Sequence, residues 1–333
     1  GGVIELVASN ITQAGQISAN GKGSNANGGK ITLQGEDITL ADGSNTNARG
    51  TANGGTINVG TTKVTYTQNA DGTRTDVKAE NLAKTVTVTE KATVDTSSTN
   101  KGNGGDINIW SSITTIVAGT FKSQGGALGG NGGYVETSSS CVLEILKSTV
   151  VDVTAKLGKA GHWLLDPEEM VIDSSTATAL SSALASSNVT IEVKGNLTVS
   201  SGAAIAGNGN LTLNATGTIT NAGTINTGST GSLVTNSTEL TLASGSTTSA
   251  NQITATAQAV TVNGALTSSG GSTGSINVTG GAITVAGRVS SNGSSTTNSA
   301  STTNTATTRT RDEELAAQAP TAPTTNANNN ANT

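Results

Sequence analysis

Aliphatic residues in this chain recur as short alternating sets behind glycine pairs. The pattern occurs as Gly1-Gly2-Val3-Ile4-Glu5-Leu6, Gly28-Gly29-Lys30-Ile31-Thr32-Leu33 and Gly54-Gly55-Thr56-Ile57-Asn58-Val59, then as Gly104-Gly105-Asp106-Ile107-Asn108-Ile109 and Gly132-Gly133-Tyr134-Val135-Glu136-Thr137. The spacings are 27, 26, 50 and 28 residues, and 50 reads as two periods. Positions four and six of each unit are apolar, or nearly so, with a polar residue between them. Alternation with period two predicts a strand with one dry face and one wet face. The glycine pair is expected to supply the unusual backbone angles of a tight corner. A face this narrow becomes stable only when successive units stack, placing Ile31 over Ile57 along a continuous core. Coils of about 26 residues then hold roughly three short strands each. The prediction is an all-β chain, a right-handed parallel β-helix (β-solenoid) with coils about 4.8 Å apart and a rod about 55 Å long.

The second half keeps the aliphatic-polar-aliphatic triplet at Leu197-Thr198-Val199, Leu211-Thr212-Leu213, Leu240-Thr241-Leu242, Val260-Thr261-Val262, Ile276-Asn277-Val278 and Ile283-Thr284-Val285, with coils nearer 20 residues. Three stretches break the pattern. Val64-Thr65-Tyr66-Thr67 and Arg74-Thr75-Asp76-Val77, joined through Asp71-Gly72, predict a β-hairpin projecting from the stack. Residues 174–187 carry Leu180 and Leu184 four apart and predict one short helix with a Ser or Thr cap. From about residue 291 the aliphatics nearly vanish, which predicts a disordered tail or linker over 291–333. The resulting division is a shaft over 1–173, a continuing shaft with shorter coils over 174–290, and the tail.

Composition then narrows the chemistry. Aromatics are 2% and charged residues 12% of the 333, with 43 Gly and a net charge of −5. One Cys and one His exclude a disulfide framework and a Cys-based zinc site, and make a Ser-His-Asp triad implausible. Sparse, scattered Lys and Arg argue against nucleic acid, and no apolar run is long enough to span a bilayer. The opening at Gly1 is already strand-like, so an interior segment of a longer protein is expected.

Gly130-Asn131-Gly132-Gly133-Tyr134-Val135-Glu136-Thr137-Ser138 is followed by His162-Trp163-Leu164-Leu165-Asp166-Pro167 and then Val171-Ile172-Asp173. This ordered pair of motifs resembles the filamentous-haemagglutinin-type exoproteins of two-partner secretion, including the high-molecular-weight adhesins. The Asn-Pro-Asn motifs of that family's amino-terminal secretion domain are absent. The resemblance implies the shaft of a secreted adhesin at the bacterial cell surface, exported by an outer-membrane partner transporter and attaching to a host-cell glycan or protein receptor. A haem-acquisition or toxin-delivery exoprotein on the same shaft is an alternative.

Most of the distinctive residues have a packing role. Gly132, Gly133, Val135, Glu136, Trp163, Leu164, Leu165, Asp166 and Pro167 are expected to be structural. Trp163 should cover a core stretch, with Asp166 bonding the backbone of the turn before Pro167. Tyr66, Trp110 and Tyr134 are the candidate ligand contacts, expected at the surface where rings can stack on sugars. Cys141 shares parity with Leu143 and Ile145 and is expected to point inward, and with no neighbouring Cys or second His in the sequence, His162 is not expected to bind a metal. A polysaccharide-degrading β-helix needs carboxylates clustered on adjacent coils. Glu168-Glu169, the main acidic pair, point to opposite faces, so an enzyme is not expected, and no cofactor is implied. An ice-binding solenoid, suggested by Thr85-Val86-Thr87-Val88-Thr89, would require threonine pairs in register on one flat face. Asn-x-Ser/Thr sequons at Asn188, Asn196, Asn210, Asn214, Asn236 and Asn277 are candidate glycosylation sites, though sequons are no more frequent than chance predicts for this composition.

Overall fold

Alternating aliphatics do stack. The computed structural model describes residues 1–69, 73–291, 293–304 and 308–310 as a parallel β-solenoid whose coils present three faces. One coil shows the plan: Lys30–Gln34 on the first face, Asp37–Leu40 on the second and Asn45–Asn47 on the third. Each strand pairs in parallel with its counterpart one coil away. On the first face a single interior column runs Ile4, Ile31, Ile57, Ile107, Val135, Trp163, Val189, Leu211, Leu233, Ile253 and Ile276. From Ile31 onward its members are buried, and burying each such side chain contributes about 1.5–3 kcal/mol. Leu33, Val59, Ile109, Leu165, Ile191 and Leu213 belong to the companion column two residues along. The ladder on this face continues through Ser294–Asn304, and the stack makes about eleven turns. At about 4.8 Å per coil it is roughly 53 Å long.

The 50-residue interval is one coil and not two. Ile57 pairs directly with Ile107. The surplus residues leave the coil as an antiparallel hairpin, Lys63–Gln68 with Arg74–Glu80. The hairpin strands fall where the sequence puts them, while the Asp71-Gly72 turn lies outside the described residues. In the second half, where spacing alone left the register open, Asn188, Asn210, Ser232, Gln252 and Ser275 mark equivalent positions on successive coils.

The helix is Ser174–Leu184, and Asp173 rather than Ser or Thr caps it, its Oδ1 accepting the Thr176 N–H at 2.8 Å. It replaces one strand of the third face, between Val150–Asp152 and Ala204–Ala206. Those two strands are two coils apart, about 9.6 Å, close to the roughly 10 Å diameter of a helix. Leu180 and Leu184 are fully buried and continue the core across the break. Aliphatics do thin out beyond residue 290, yet the backbone of Ser294–Asn304 and Thr308–Thr310 still follows the ladder. The stack therefore extends past the expected tail boundary. Residues 311–333 lie outside the described residues.

The glycine pairs serve close approach, not unusual angles. None of Gly28, Gly54, Gly104 and Gly132 has positive φ. A Cβ on Gly54 would overlap the carbonyl oxygen of Thr96, and on Gly104, Gly132 and Gly28 those of Ser123, Val153 and Ala48. At this corner the chain re-enters the first face against the exit of the third. The asparagine before each pair ties the coils together. Asn27, Asn53, Asn103 and Asn131 offer their Oδ1 to the N–H of Asn53, Asn103, Asn131 and Lys159 at 2.8–3.1 Å.

This corner yields a paired prediction. Gly104→Ala should lower stability by about 1–3 kcal/mol, the usual cost of overpacking. Gly15→Ala, with open space around its Cβ and no positive φ, should leave the unfolding free energy from urea titration within about 0.5 kcal/mol of the parent.

Candidate functional site

Between Gly60, with φ +76°, and the positive-φ residue Asn81 the chain makes its excursion. A register shift between Thr65 and Thr67, opposite Asp76 at φ 53°, forms a bulge in the hairpin. Bulges re-aim side chains, and here the hairpin turns back over the outer surface of the first face. Arg74 is 7% exposed and its Nη2 donates to Asp106 Oδ1 at 2.6 Å. Its guanidinium carbon lies 3.7 Å from the Tyr66 ring centre and 3.8 Å from that of Tyr134. Such stacking contributes about 0.5–2 kcal/mol per ring and offsets part of the cost of burying the charge.

The surface under the hairpin is therefore not wet. Asn58, Asn108, Trp110, Tyr134, Glu136 and Ser138 alternate with the core residues and so point outward, yet all are buried. Asn108 Nδ2 donates to Asn58 Oδ1 on the adjacent coil at 2.8 Å. Of the three candidate contact residues, Tyr66 is 38% exposed, while Trp110 at 6% and Tyr134 at 5% are not the surface aromatics expected. Alternation identified the face they occupy but not the hairpin that covers it. Tyr66 and Tyr134 are nevertheless brought together, through Arg74.

Beside this stack opens a cleft of about 630 Å³. Its walls include Gln68 and Arg74 from the hairpin and Asp106, Tyr134, Lys159 and His162 from the shaft. Its rim carries the corner residues Asn103, Asn131, Asn188 and Asn210. The side chains that line it are mainly amide and charged groups around an aromatic edge.

The "WLLDP" segment is mostly core. Trp163 and Leu165 point inward, and the Trp163 Nε1 donates to the buried Thr137 hydroxyl at 2.9 Å. Leu164 points outward and is buried as well, and Pro167 is buried at the strand end. Gly132 and Gly133 are packed against neighbouring backbone, and Val135 is fully buried. Asp166 stands on the outer face in register with Ser138, one coil from Glu192. At the following corner the backbone itself makes the contact, with the Gly195 N–H donating to Glu168 O at 2.7 Å.

Carboxylates do gather on neighbouring coils, but they are Glu136, Asp166 and Glu192 rather than Glu168 and Glu169. Burial pushes Glu136 up to about 8, helped by the charge of Asp166 and opposed by Arg74. Burial and then Glu192 push Asp166 up to about 6. Glu192 is also raised by burial, against a hydrogen bond from Asn214 at 3.3 Å. The signal was in the spacing, because 166 and 192 are one coil apart. No group of three His, Cys, Asp or Glu side chains suited to a metal occurs among the described residues.

Cys141 is exposed, contrary to its parity with Leu143 and Ile145. It sits at the bend before Val142–Ile145, its N–H on Ser139 Oγ, and the corner resets the alternation. Among the sequons, Asn188, Asn196 and Asn210 commit their Oδ1 to the N–H of Asn210, Thr218 and Ser232. Asn214 and Asn236 use Nδ2 as donors along the ladder, and Asn277 is exposed. No protein-family model matches the chain, and comparison with curated proteins finds no match.

The raised carboxyls set a pH dependence. Between its ordinary value near 4.5 and about 8, Glu136 binds a proton in the folded chain and not in the unfolded one. Stability should therefore fall as pH rises through that window. Asp166 adds the same trend between about 3.8 and 6. Thermal melts should show a midpoint higher at pH 5 than at pH 8.5, and Glu136→Gln should remove most of that difference above pH 6.

Proposed function

We propose that this chain is a shaft segment of a secreted bacterial surface adhesin, and that the hairpin-roofed cleft is its contact with a host glycan or protein. The observation that carries this reading is the Tyr66–Arg74–Tyr134 stack beside the cleft of about 630 Å³. Sugar-binding sites combine an aromatic face with a few fixed polar groups, and here the asparagine ladder and the Arg74–Asp106 pair hold those groups in place. The rigid stack supports a display role, since a solenoid of stacked coils carries a side loop at a fixed distance from its ends. The likeness of the Gly132-Gly133-Tyr134-Val135-Glu136-Thr137-Ser138 and Trp163-Leu164-Leu165-Asp166-Pro167 pair to two-partner secretion exoproteins supports export through an outer-membrane transporter. The same shaft would serve a haem-acquisition or toxin-delivery protein whose active part lies elsewhere.

A second reading, polysaccharide degradation, draws on the raised carboxyls of Asp166 and Glu192 on adjacent coils, because perturbed acids mark catalytic sites. It is the weaker one. Glu136 is sealed from solvent, and none of the three acids lines the cleft.

The test is to display the segment on beads and count attachment to epithelial cells and to a glycan array. Attachment should exceed that of a scrambled Ser/Thr-rich control, and Tyr66→Ala should reduce it about tenfold, the loss of roughly 1.4 kcal/mol. Attachment equal to the control removes adhesion from this segment. Cleavage of a polysaccharide panel that disappears with Asp166→Asn would establish the enzyme instead.

A further inference from the structure

Parallel pairing on the second face links every described strand to its neighbour, with one exception. Val142–Ile145 pairs with the preceding coil and Met170–Ile172 with the following one, and no ladder joins the two. At the same level on the first face, Tyr134–Ser138 and His162–Asp166 are fully paired. The two coils thus touch on one face and part on the next. The cause lies around the corner, where the helix Ser174–Leu184 occupies two coil heights on the third face. Thr176 Oγ1 reaches Ile145 O at 3.4 Å across the root of the opening.

The lips are two facing strand edges. In a parallel ladder, alternate residues address alternate neighbours. Leu146 N–H donates to Val117 O at 2.8 Å, which turns the main-chain groups of residues 142 and 144 toward the previous coil and those of Leu143 and Ile145 toward the opening. On the far lip Met170 N–H donates to Asn196 O, and Ile172 O accepts from Ser200 N–H, both at 3.0 Å. Val171 therefore faces the opening. Its side chain is 64% exposed and that of Val142 49%. The cleft between them measures about 630 Å³, and Glu144, Glu168, Glu169 and Asp173 line it with no Lys or Arg among the lining residues.

We propose that this seam receives an extended basic peptide strand from a partner protein. The main chain of the peptide bonds the edges at Leu143, Ile145 and Val171, completing the second face by strand addition. Alternate apolar side chains lie over Val142 and Val171, and the Lys or Arg residues of the peptide meet Glu144, Glu168 and Glu169. Four carboxylates with no Lys or Arg among the described lining residues select a cationic segment over an acidic one. The lips are three to four residues long, so about four peptide residues are engaged, roughly 13 Å of strand. The site is separate from the hairpin cleft, and neither depends on the other.

The test uses the intact chain and a synthetic hexapeptide of alternating lysine and valine. Hydrogen exchange at the Leu143, Ile145 and Val171 amides should slow at least tenfold at saturation. Alkylation of the exposed Cys141, which lines the same cleft, should slow with the same concentration dependence. Raising the salt should weaken both effects, and so should Glu144→Lys with Glu168→Lys, a surface pair chosen to leave the fold intact by circular dichroism. A peptide N-methylated at alternate residues, or one of alternating glutamate and valine, should protect nothing. Equal protection by either control overturns the proposal. So does absence of protection, or protection at the exposed strand Val3–Val7 instead. Protection of the three amides by self-association, without peptide, would make a second copy of the chain the occupant and overturn it as well.

Discussion

A coil of this solenoid brings only a few aliphatic side chains to the interior, and nothing within the coil covers them. Burial comes from the coil before and the coil after. That dependence explains why Ile31, Ile57 and Ile107 hold one column without drift, because a slip of one residue would turn every apolar side chain to the outside. It also explains the corners. Coils about 4.8 Å apart leave no room for a Cβ where the first face begins, so glycine stands there. The asparagine just before it bonds the next coil and pins the register from outside the core. Both insertions leave the first-face ladder unbroken. The hairpin departs at Gly60 and returns before Ala83, and the helix takes the place of one strand at twice the coil spacing.

Both insertions have consequences at the surface. The hairpin roofs an outer face that would otherwise be wet, and polar side chains beneath it become buried. Arg74 is accommodated by two rings and a carboxylate, and Glu136 by holding its proton at neutral pH. A neutral Glu136 leaves the Arg74 charge to Asp106, so one ion pair rather than a triad forms beside the hairpin. The helix acts in the opposite sense. It spreads two coils and exposes strand edges that are paired elsewhere along the described stack. One insertion closes a surface and the other opens one, and the two candidate contact regions lie at these two places.

Much of the architecture was legible in the residues. The columns through Ile31 and Ile57, the strands flanking the hairpin turn, and the helix carrying Leu180 and Leu184 all follow from local periodicity. What escaped depends on coils meeting across long separations. The interval from Gly54 to Gly104 is nearly two periods long, so its length alone could not separate two coils from one coil with an excursion. Parity placed Trp110, Tyr134 and Glu136 on the outer face correctly, but a cover supplied by residues 63–80 leaves no trace in their own neighbourhood. Cys141 departs from its parity because a bend at Ser140 interrupts the alternation that Leu143 and Ile145 obey. The pairing of Asp166 with Glu192 is readable only once the coil length is known. The open seam cannot be read from sequence, since its residues look like ordinary strands.

Residues 50 apart are neighbours because the hairpin is looped out of a single coil. In a Cys141→Ser background, Asn58→Cys and Asn108→Cys place two thiols on adjacent strands at directly paired positions, within the 4.4–6.8 Å Cα range of a disulfide. Two coils of separation would put them about 9.6 Å apart, beyond reach. Mild oxidation of the folded protein should close this disulfide nearly completely, with strand content by circular dichroism unchanged. A pair that stays reduced while the protein is folded, and crosslinks only in denaturant, would mean that these two positions are not on adjacent coils.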